Sequence, residues 1–144
     1  MNIFRCDFCG HLEFNAIPQN CPVCGSGKEK FRQNDKIFQE SQAKSPEAEV
    51  KHVPSVVMNR SCGLIPETAC TDIIVRVGKT LHPMDAKHFI QFVDCYLNDR
   101  YVGRAAFTPG VHPAACFHLK ETKGKVTVVE HCNLHGYWKV DCEL

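Results

Sequence analysis

The amino-acid sequence predicts an all-β protein, an immunoglobulin-like antiparallel β-sandwich preceded by a small metal-knuckle domain. Beyond residue 51, short segments rich in branched and aromatic residues alternate with turn residues, and no strand–helix–strand alternation occurs. Ahead of them, four of the ten cysteines fall within the first 24 residues as two Cys-x-x-Cys pairs. We therefore expect a four-cysteine metal-binding domain over residues 1–34, a linker over 35–50 and the β-sandwich over 51–144.

Each Cys-x-x-Cys pair is followed directly by glycine, which is typical of a metal-binding knuckle. In a knuckle both thiolates bind one ion, backbone N–H groups turn toward the sulfurs, and the chain leaves through a conformation that glycine tolerates best. Two knuckles complete a tetrahedral shell of four sulfurs, which suits zinc or a single iron. The expected ligands are Cys6, Cys9, Cys21 and Cys24. A pair of disulfides is the alternative, and the lack of an export signal argues against it.

The stretch from Phe4 to Phe31 resembles the rubredoxin-like domain of rubrerythrins. The resemblance rests on the two knuckles with their glycines, and on Pro18 and Pro22 beside the second knuckle. It implies an electron-transfer centre of one iron bound by four cysteines, whereas the spacing alone leaves zinc open, as in a zinc ribbon. A nucleic-acid-binding zinc ribbon is disfavoured because the segment is nearly neutral. His11 follows the first knuckle, and because four thiolates already fill the shell we expect this histidine at the surface.

The polar linker contains one or two expected helical turns near Ile37 and Phe38, and Ser45-Pro46 disfavours helix beyond that point. After residue 51 the pattern becomes that of β-strands separated by turn dipeptides such as Asn-Asp, Pro-Gly and Lys-Gly. The expected strands cover residues 72–77, 89–97, 101–107, 116–120, 125–131 and 136–140. Several short strands at this spacing indicate an antiparallel sandwich.

Composition agrees with a soluble globular protein and excludes several other classes. The chain has 144 residues, 44% of them hydrophobic and 23% charged, and its net charge is +1. This balance excludes wholesale disorder, and the basic residues form no stripe that would bind DNA phosphates. No apolar stretch approaches the roughly 20 residues of a membrane span, and the first residues lack the pattern of an export signal. Ten cysteines in such a chain indicate metal ligands or reduced thiols, so we expect a cytoplasmic location.

Three short segments combine histidine or cysteine with corner-forming Pro or Gly residues, namely 51–54, 82–88 and 132–138. Taken alone, a histidine in a β-protein is more often a hydrogen-bonded surface or core residue, and one Cys-x-x-His is a weak signal. Together the segments place four imidazoles and one thiolate near loops, where a site on a rigid sandwich is expected. Imidazole and thiolate ligands with open coordination suit iron better than a hard cation.

The sequences HVP, HPMDAKHFI and CNLHGYW in these segments, with PGVHP between the last two, resemble the catalytic domain of superoxide reductases, the desulfoferrodoxin and neelaredoxin family. The resemblance covers residues 51–140 and implies an immunoglobulin-like fold with one iron bound by four equatorial histidines and an axial cysteine. By motif, the implied iron ligands are His52, His82, His88, His135 and Cys132. The implied activity is the one-electron reduction of superoxide to hydrogen peroxide at the open sixth position of ferrous iron.

The resemblance also implies partners and a role for the N-terminal centre. Superoxide is the implied substrate, a small electron-transfer protein such as rubredoxin is the implied reductant, and iron at the four-cysteine centre relays electrons to the catalytic iron. A homo-oligomer is expected. The family's dimer-forming N-terminal domain, however, ends its motif with adjacent cysteines, where this chain has a second Cys-x-x-Cys. The dimer-forming role of that domain is therefore not carried over to this chain. No nucleic-acid or membrane partner is expected.

Lys51 matches the family lysine that steers superoxide and orders the protonating water. Lys87, beside a ligand histidine, adds a second positive charge or is simply a solvated surface residue. The family usually carries a glutamate directly before the lysine, and this glutamate can bind ferric iron, whereas Val50 occupies that position here. Glu49 is one residue away and, in an extended segment, would point to the other face. We therefore expect an oxidised iron without a glutamate ligand.

The connector after the first ligand segment is longer than in the family and carries Cys62 and Cys70. We expect free thiols there in a reducing compartment, with a disulfide as the alternative. Cys95 and Cys116 lie in expected strands and are expected as buried thiols that act as small hydrophobes. His131 precedes the ligand cysteine in a strand, so its side chain is expected to face away from the site.

Two other functions are compatible with parts of the sequence. A non-catalytic electron carrier with two iron centres would use the same ligands in a closed six-coordinate site, so access to the sixth position separates it from the enzyme. A hydrolase would use Cys132 and His135 as nucleophile and base, but it leaves the other three histidines without a role.

Overall fold

A computed structural model describes residues 1–144, and it is mostly β-structure in three antiparallel sheets, which confirms the predicted fold class. The strands are β1 (Ile3–Cys6), β2 (Leu12–Phe14), β3 (Phe31–Gln33), β4 (Pro54–Asn59), β5 (Thr71–Val77), β6 (Ile90–Leu97), β7 (Arg100–Ala106), β8 (Ala114–Leu119), β9 (Lys125–Cys132) and β10 (Gly136–Glu143). The helices are α1 (Ile37–Lys44) and α2 (Glu49–His52), with short 3₁₀ turns at Lys28–Lys30 and Pro46–Ala48. None of the helices is long and apolar enough to cross a membrane.

The larger part of the chain is a sandwich of a four-stranded sheet, in the order β10-β9-β6-β7, and a three-stranded sheet, in the order β4-β5-β8. Strand β5 alternates between buried Ile73, Val75 and Val77 and more exposed neighbours, so one face of this strand supplies the core. These side chains pack against Val93 of β6 and Val128 of β9. β4 was not among the expected strands, and it forms the edge of the sheet directly after the first ligand segment.

The N-terminal domain is a small sheet, in the order β2-β1-β3, that packs on the outer face of the four-stranded sheet. Leu12 and Phe14 join a cluster with Phe92 and Tyr96, which lie on the side of β6 away from the sandwich core. Because of this cover, β6 is buried along both faces, which explains why its sequence is almost continuously apolar.

Residues 35–50, expected as a polar linker, are largely helical and form part of the packed structure. Helix α1 lies against β10, and its residues Ile37 and Ser41 are buried. The helix ends at Lys44, before the Ser-Pro pair, but the expectation that this pair disfavours helix beyond that point was wrong. Pro46 occupies the first position of a 3₁₀ turn, where its missing N–H costs nothing, and this turn leads into α2. The chain thus enters the first ligand segment from a helix.

The two domains are joined by a buried polar network around Asp94 of β6. Arg104 forms a bidentate ion pair with the Asp94 carboxylate at 2.6 and 2.7 Å and donates to the Cys9 carbonyl at 2.9 Å. His11 lies between Asp94 at 3.1 Å and Glu13 at 2.9 Å. Burial lowers the pKa of His11, but the hydrogen bonds with both carboxylates outweigh this effect and raise the pKa above its usual 6.5.

Two expectations about side-chain exposure were wrong. His11 is completely buried, because β6 and β7 of the sandwich pack over the first knuckle. Such a long-range contact leaves no pattern in the sequence around His11. Cys116 is exposed, because β8 is an edge strand whose alternate residues face solvent. Cys95 is buried in the sandwich core as expected.

Asp94→Asn is expected to lower the free energy of unfolding by about 3 kcal/mol, because it leaves the nearly buried Arg104 charge without a carboxylate partner. Urea unfolding of the metal-loaded protein measures this difference. The control is Asp7→Asn, which removes a surface carboxylate paired with Arg5 and Arg32 and should cost less than about 1 kcal/mol. Equal effects of the two substitutions would contradict the structural role of Asp94.

Candidate metal centres

The four N-terminal cysteines converge at one end of the small sheet and form what we call the tetracysteine cluster. Its sulfurs lie 3.7 Å apart between Cys6 and Cys24, and 3.6 Å apart between Cys9 and Cys21. Four sulfurs placed about 2.3 Å from one ion at tetrahedral angles are separated by about 3.8 Å. The side chains are therefore already arranged as a tetrahedral four-sulfur shell, which zinc and iron both accept.

Glycine is required at the exit of each knuckle. Gly10 and Gly25 have φ values of +73° and +75°, a left-handed conformation that other residues adopt at a cost. Their N–H groups donate to the carbonyls of Cys6 and Cys21, at 3.0 and 2.9 Å, and so close each turn. The two knuckles are near-copies of one another, as the repeated Cys-x-x-Cys-Gly sequence predicts.

Polar groups around Cys6 and Cys24 favour the thiolate form that a metal requires, whereas burial raises the pKa of Cys9 and of Cys21. The Ser26 hydroxyl lies 3.2 Å from the Cys24 sulfur and 3.3 Å from the Cys6 sulfur, and it lowers the pKa of Cys24 to about 6. The backbone N–H groups of residues 8 and 9 also point at the Cys6 sulfur. Hydrogen bonds of this kind stabilise negative charge on sulfur, so the knuckles suit a bound cation.

A second cluster, which we call the histidine–cysteine cluster, brings together five side chains that are widely separated in the sequence. Their potential ligand atoms all lie within 4.8 Å of one another. The members are His52 at the end of α2, His82 and His88 in the connection from β5 to β6, Cys132 at the end of β9, and His135 in the turn before β10. All five are residues that the sequence analysis singled out, so the structure places the expected ligand set at one point.

The four imidazole rings form a closed cycle. Neighbouring rings have centroids 4.5 to 4.8 Å apart and lie at 69–81° to one another. His52 and His88, on opposite sides of the cycle, are 6.1 Å apart and inclined by 26°. This arrangement directs one nitrogen of each ring toward a common centre.

The distances between these nitrogens match a metal-binding square. Nε2 of His52 is 3.1 Å from Nε2 of His82, and Nε2 of His88 is 3.1 Å from Nδ1 of His135. Four nitrogens about 2.1 Å from one ion, at right angles, would be separated by about 3.0 Å. The Cys132 sulfur lies 3.6 Å from Nδ1 of His135, so it can complete a five-ligand set. The donor set fits iron.

Backbone carbonyls orient the two deeply buried rings. Nδ1 of His52 lies 2.8 Å from the Ala48 carbonyl, and Nδ1 of His82 lies 2.6 Å from the Pro83 carbonyl. A proton on each Nδ1 leaves Nε2 with a free lone pair directed at the cluster. Burial lowers the pKa of both rings to about 4, so they remain neutral, as metal ligation requires.

The buried sulfur of Cys132 requires a nearby cation to ionise. Burial raises the pKa of the Cys132 thiol to about 11, although the backbone N–H groups of Leu134 and His135 point at the sulfur and oppose this effect. A bound metal ion displaces the thiol proton outright. The N–H groups then remain as partners of the thiolate.

Two residues that the sequence analysis did not single out hold the ligands in place. Trp138 packs its ring 5.3 Å from that of His52 and donates its Nε1–H to the His135 carbonyl at 3.2 Å. Asn133 accepts from the Phe89 N–H at 2.9 Å and so ties the Cys-x-x-His turn to the residue after His88. Both lie within the CNLHGYW motif, which was the available signal.

Glycine permits two close backbone approaches beside the histidine–cysteine cluster. Gly78 has a φ of +84°, and a Cβ atom there would lie 2.5 Å from the Lys51 carbonyl oxygen. Gly136 has a φ of +77°, and a Cβ atom there would lie 2.5 Å from the Ser41 hydroxyl. That hydroxyl accepts the N–H of Tyr137 at 2.9 Å, so α1 supports the turn that carries His135.

The segment before the first ligand is helical, so the argument that an extended segment would turn Glu49 to the other face does not apply. Pro46 starts the turn, and the Val53 N–H donates to the Glu49 carbonyl at 3.0 Å. Val50 is 53% exposed, and the five-residue cluster contains no carboxylate. Lys51 is exposed, and its positive charge acts on the adjacent ligand ring.

A buried carboxyl group lies two residues before the ligand cysteine. Glu130 of β9 is completely buried, and neither of its oxygens has a hydrogen-bond partner. Burial raises the pKa of Glu130 well above its usual value. Glu130 was not among the predicted site residues, and its signal in the sequence is a single acidic residue within an apolar strand. His131 lies on the other face of β9, between Phe92 and Tyr137, as expected.

Two family models match the chain, and together they account for most of its length. The desulfoferrodoxin model matches residues 44–141 and therefore includes the histidine–cysteine cluster. The model of the rubredoxin-like domain of rubrerythrin matches residues 4–32, which contain the four N-terminal cysteines. Both matches agree with the resemblances drawn from the motifs.

Similar proteins and structures carry related names. A desulfoferrodoxin from Syntrophotalea carbinolica is 31% identical over 140 residues, which is 96% of this chain and 94% of the relative. A superoxide reductase from Pyrococcus abyssi is 32% identical over 106 residues, which cover 65% of this chain and 87% of the relative. The solved structure of a superoxide reductase from Nanoarchaeum equitans has a TM-score of 0.55 and 31% identity, and it covers 65% of this chain and 93% of that chain. With its histidine–cysteine and tetracysteine clusters, this chain belongs to the desulfoferrodoxin family and carries a rubredoxin-like N-terminal domain.

Proposed function

We propose that the chain is a superoxide reductase that converts superoxide to hydrogen peroxide at the histidine–cysteine cluster. The observation that carries the proposal is the square of four imidazole nitrogens with one buried thiol, to which no sixth His, Cys, Asp or Glu is added. Iron held by these side chains would supply the single electron that, with two protons, converts superoxide to hydrogen peroxide. The names of the similar superoxide reductases support the same activity.

The ligand set creates a site that favours a small anion. A divalent ion held by four neutral imidazoles and one thiolate would keep net positive charge, which would favour a small anion such as superoxide. The Cys132 thiolate, which has no exposed surface, would donate charge to that ion. Backbone N–H groups at this sulfur moderate that donation.

Access from solvent supports the enzyme over a closed electron carrier. His52 and His82 are each only 1% exposed, whereas His88 and His135 are half-buried and reach the surface. A diatomic anion can therefore approach from the side of the latter two rings. Cys132 has no exposed surface and lies against the imidazoles, which disfavours a role as the nucleophile of a hydrolase.

Lys51 is proposed as the residue that attracts superoxide and holds a proton-donating water near it. Its side chain is exposed. Burial and the neighbouring imidazole rings are the larger causes of the lowered pKa values of His52 and His88, and the positive charge of Lys51 lowers both further. An ammonium group close to both rings is well placed to steer an anion between them. Lys87, also exposed, adds positive charge beside His88.

A short path through one tyrosine supports electron relay between the clusters. The Tyr137 hydroxyl donates to the Gly10 carbonyl at 2.7 Å, and Gly10 directly follows the ligand Cys9. At its other end Tyr137 is two residues from His135 along the backbone. We propose that iron at the tetracysteine cluster passes electrons along this connection. A small electron-transfer protein such as rubredoxin would reduce this iron from the side of the cluster where Cys24 is exposed.

Lys51→Ala is expected to lower the second-order rate constant for superoxide by about 10-fold or more at low ionic strength, because a steering charge is lost. Pulse radiolysis at several salt concentrations measures this rate, and the variant should also show a weaker salt dependence. Lys123→Ala makes the same charge change near the opposite end of β9 and should leave the rate unchanged. Equal rates in wild type and Lys51→Ala, with equal iron content, would exclude the steering role.

Cys132→Ser is expected to abolish the thiolate-to-iron absorption of the oxidised catalytic centre, because the histidine–cysteine cluster loses its one sulfur. The absorption of iron in the tetracysteine cluster should persist in the same variant. Ultraviolet–visible spectra with iron analysis measure both features. Cys116→Ser, which changes an exposed thiol outside both clusters, should keep both sets of bands. Persistence of the catalytic band in Cys132→Ser would refute the ligand assignment.

Tyr137→Phe is expected to slow oxidation of the tetracysteine iron by superoxide supplied at the catalytic centre, because the hydrogen-bonded connection to Gly10 is broken. Stopped-flow absorption of the tetracysteine iron follows this transfer. Tyr101→Phe is the control, since Tyr101 also packs at the domain interface, against His11 and Tyr96, but does not donate the hydrogen bond to the Gly10 carbonyl. An unchanged rate in Tyr137→Phe would mean that electrons follow another route.

A further inference from the structure

A third cluster of potential metal ligands lies at the far end of the sandwich. It consists of Cys62, Cys70, Asp72 and His118, whose ligand atoms all lie within 4.8 Å of one another. Asp72 pairs with Asn59 at the last residue of β4, whereas the histidine–cysteine cluster begins just before the first residue of that strand. The six residues of β4 separate the two positions by roughly 20 Å, so this cluster is independent of the catalytic site.

Strand register brings the two non-cysteine members together. Asp72 of β5 and His118 of β8 are direct cross-strand partners, and His118 Nδ1 lies 2.7 Å from Asp72 Oδ1. Cys70 lies just before β5, with its sulfur 3.6 Å from the same carboxylate oxygen. Cys62, on the loop after β4, has its sulfur 3.3 Å from His118 Nδ1.

These distances are close to those of a tetrahedral zinc shell. Zinc–sulfur bonds of about 2.3 Å and zinc–nitrogen or zinc–oxygen bonds of about 2.0–2.1 Å separate neighbouring ligand atoms by about 3.3–3.8 Å. Both sulfur distances fall within that range. The shorter contact between His118 and Asp72 is a hydrogen bond whose proton an ion would replace.

Three of the four side chains are buried, and the neighbouring Asn59 orients one of them. Cys70, Asp72 and Cys62 are 7%, 8% and 9% exposed, and the His118 side chain is 33% exposed. Asn59 lies beside the second carboxylate oxygen of Asp72, with its Nδ2 at 3.4 Å, and accepts the Ser61 N–H at 3.1 Å. Asn59 thus orients both the carboxylate and the start of the loop that carries Cys62.

The loop between the two cysteines lacks other anchors. Residues 63–69 are all exposed and form no helix or strand, and Leu64 is 73% exposed. Since no apolar side chain of this segment packs into a core, its two ends are fixed at Cys62 and Cys70. An ion bound at these ends would close the loop and stabilise it by reducing the freedom of the unfolded chain.

We propose that Cys62, Cys70, Asp72 and His118 bind a structural zinc ion. Two thiolates, one imidazole and one carboxylate form a mixed set that zinc accepts in tetrahedral geometry. Four protein ligands fill that shell, so the ion stabilises the loop and takes no part in superoxide chemistry. The proposal does not rest on the proposed function of the histidine–cysteine cluster.

The test is metal analysis of the full chain, purified under reducing conditions and loaded with both iron and zinc. Cys62→Ser/Cys70→Ser should contain one zinc fewer per chain than wild type, with unchanged iron content and an unchanged rate of superoxide reduction. Cys116→Ser is the matched control, because Cys116 lies two residues from His118 on the same exposed face of β8 and outside the cluster. It should retain the full zinc content.

A second variant tests the proposal independently, in case the double mutant fails to fold. His118→Ala keeps both cysteines and changes a partly exposed side chain, and it should also lose one zinc. Cleavage within residues 63–69 by a protease should become faster in this variant, and in wild type after a chelator is added. Equal zinc contents in wild type and both variants would overturn the proposal, as would a Cys62–Cys70 disulfide in the reduced preparation.

Discussion

The convergence of four imidazole nitrogens on one point is the constraint on which the rest of the structure depends. Neighbouring nitrogens lie only 3.1 Å apart, and without a cation their lone pairs oppose one another. Such a cluster persists only when the surrounding chain fixes each ring. The sandwich does so by bringing the end of α2, the β5–β6 connection and the β9–β10 turn to one edge. Metal binding then offsets the cost of gathering these groups.

Support for the ligands extends well beyond the loops that carry them. Backbone carbonyls fix the buried rings, Trp138 packs on His52, and Gly78 admits the backbone of Lys51 at close range. Helix α1 contributes through Ser41, whose hydroxyl binds the turn that presents His135. The segment that connects the domains is therefore part of the framework of the histidine–cysteine cluster, which explains why it is folded.

The interface between the domains also fixes the position of the first knuckle. Asp94 and Arg104 fix the carbonyl of Cys9, and Tyr137 binds the carbonyl of the next residue. The first knuckle is therefore held at two adjacent backbone positions by the sheet that also carries Cys132. A rigid junction of this kind keeps the separation between the two clusters constant, as the proposed electron relay would require.

Local sequence determined much of this protein, because the knuckle spacing sets its own geometry and alternating apolar residues define the strands. The order of the histidine and cysteine motifs predicted, through family resemblance, the five side chains that converge in the histidine–cysteine cluster. Tertiary structure alone decided the burial of His11, the folding of the expected linker, and the meeting of Cys62 and Cys70 with His118. The physical reason is that strand register and domain packing determine which distant residues face one another, and neither leaves a pattern within a short stretch of sequence.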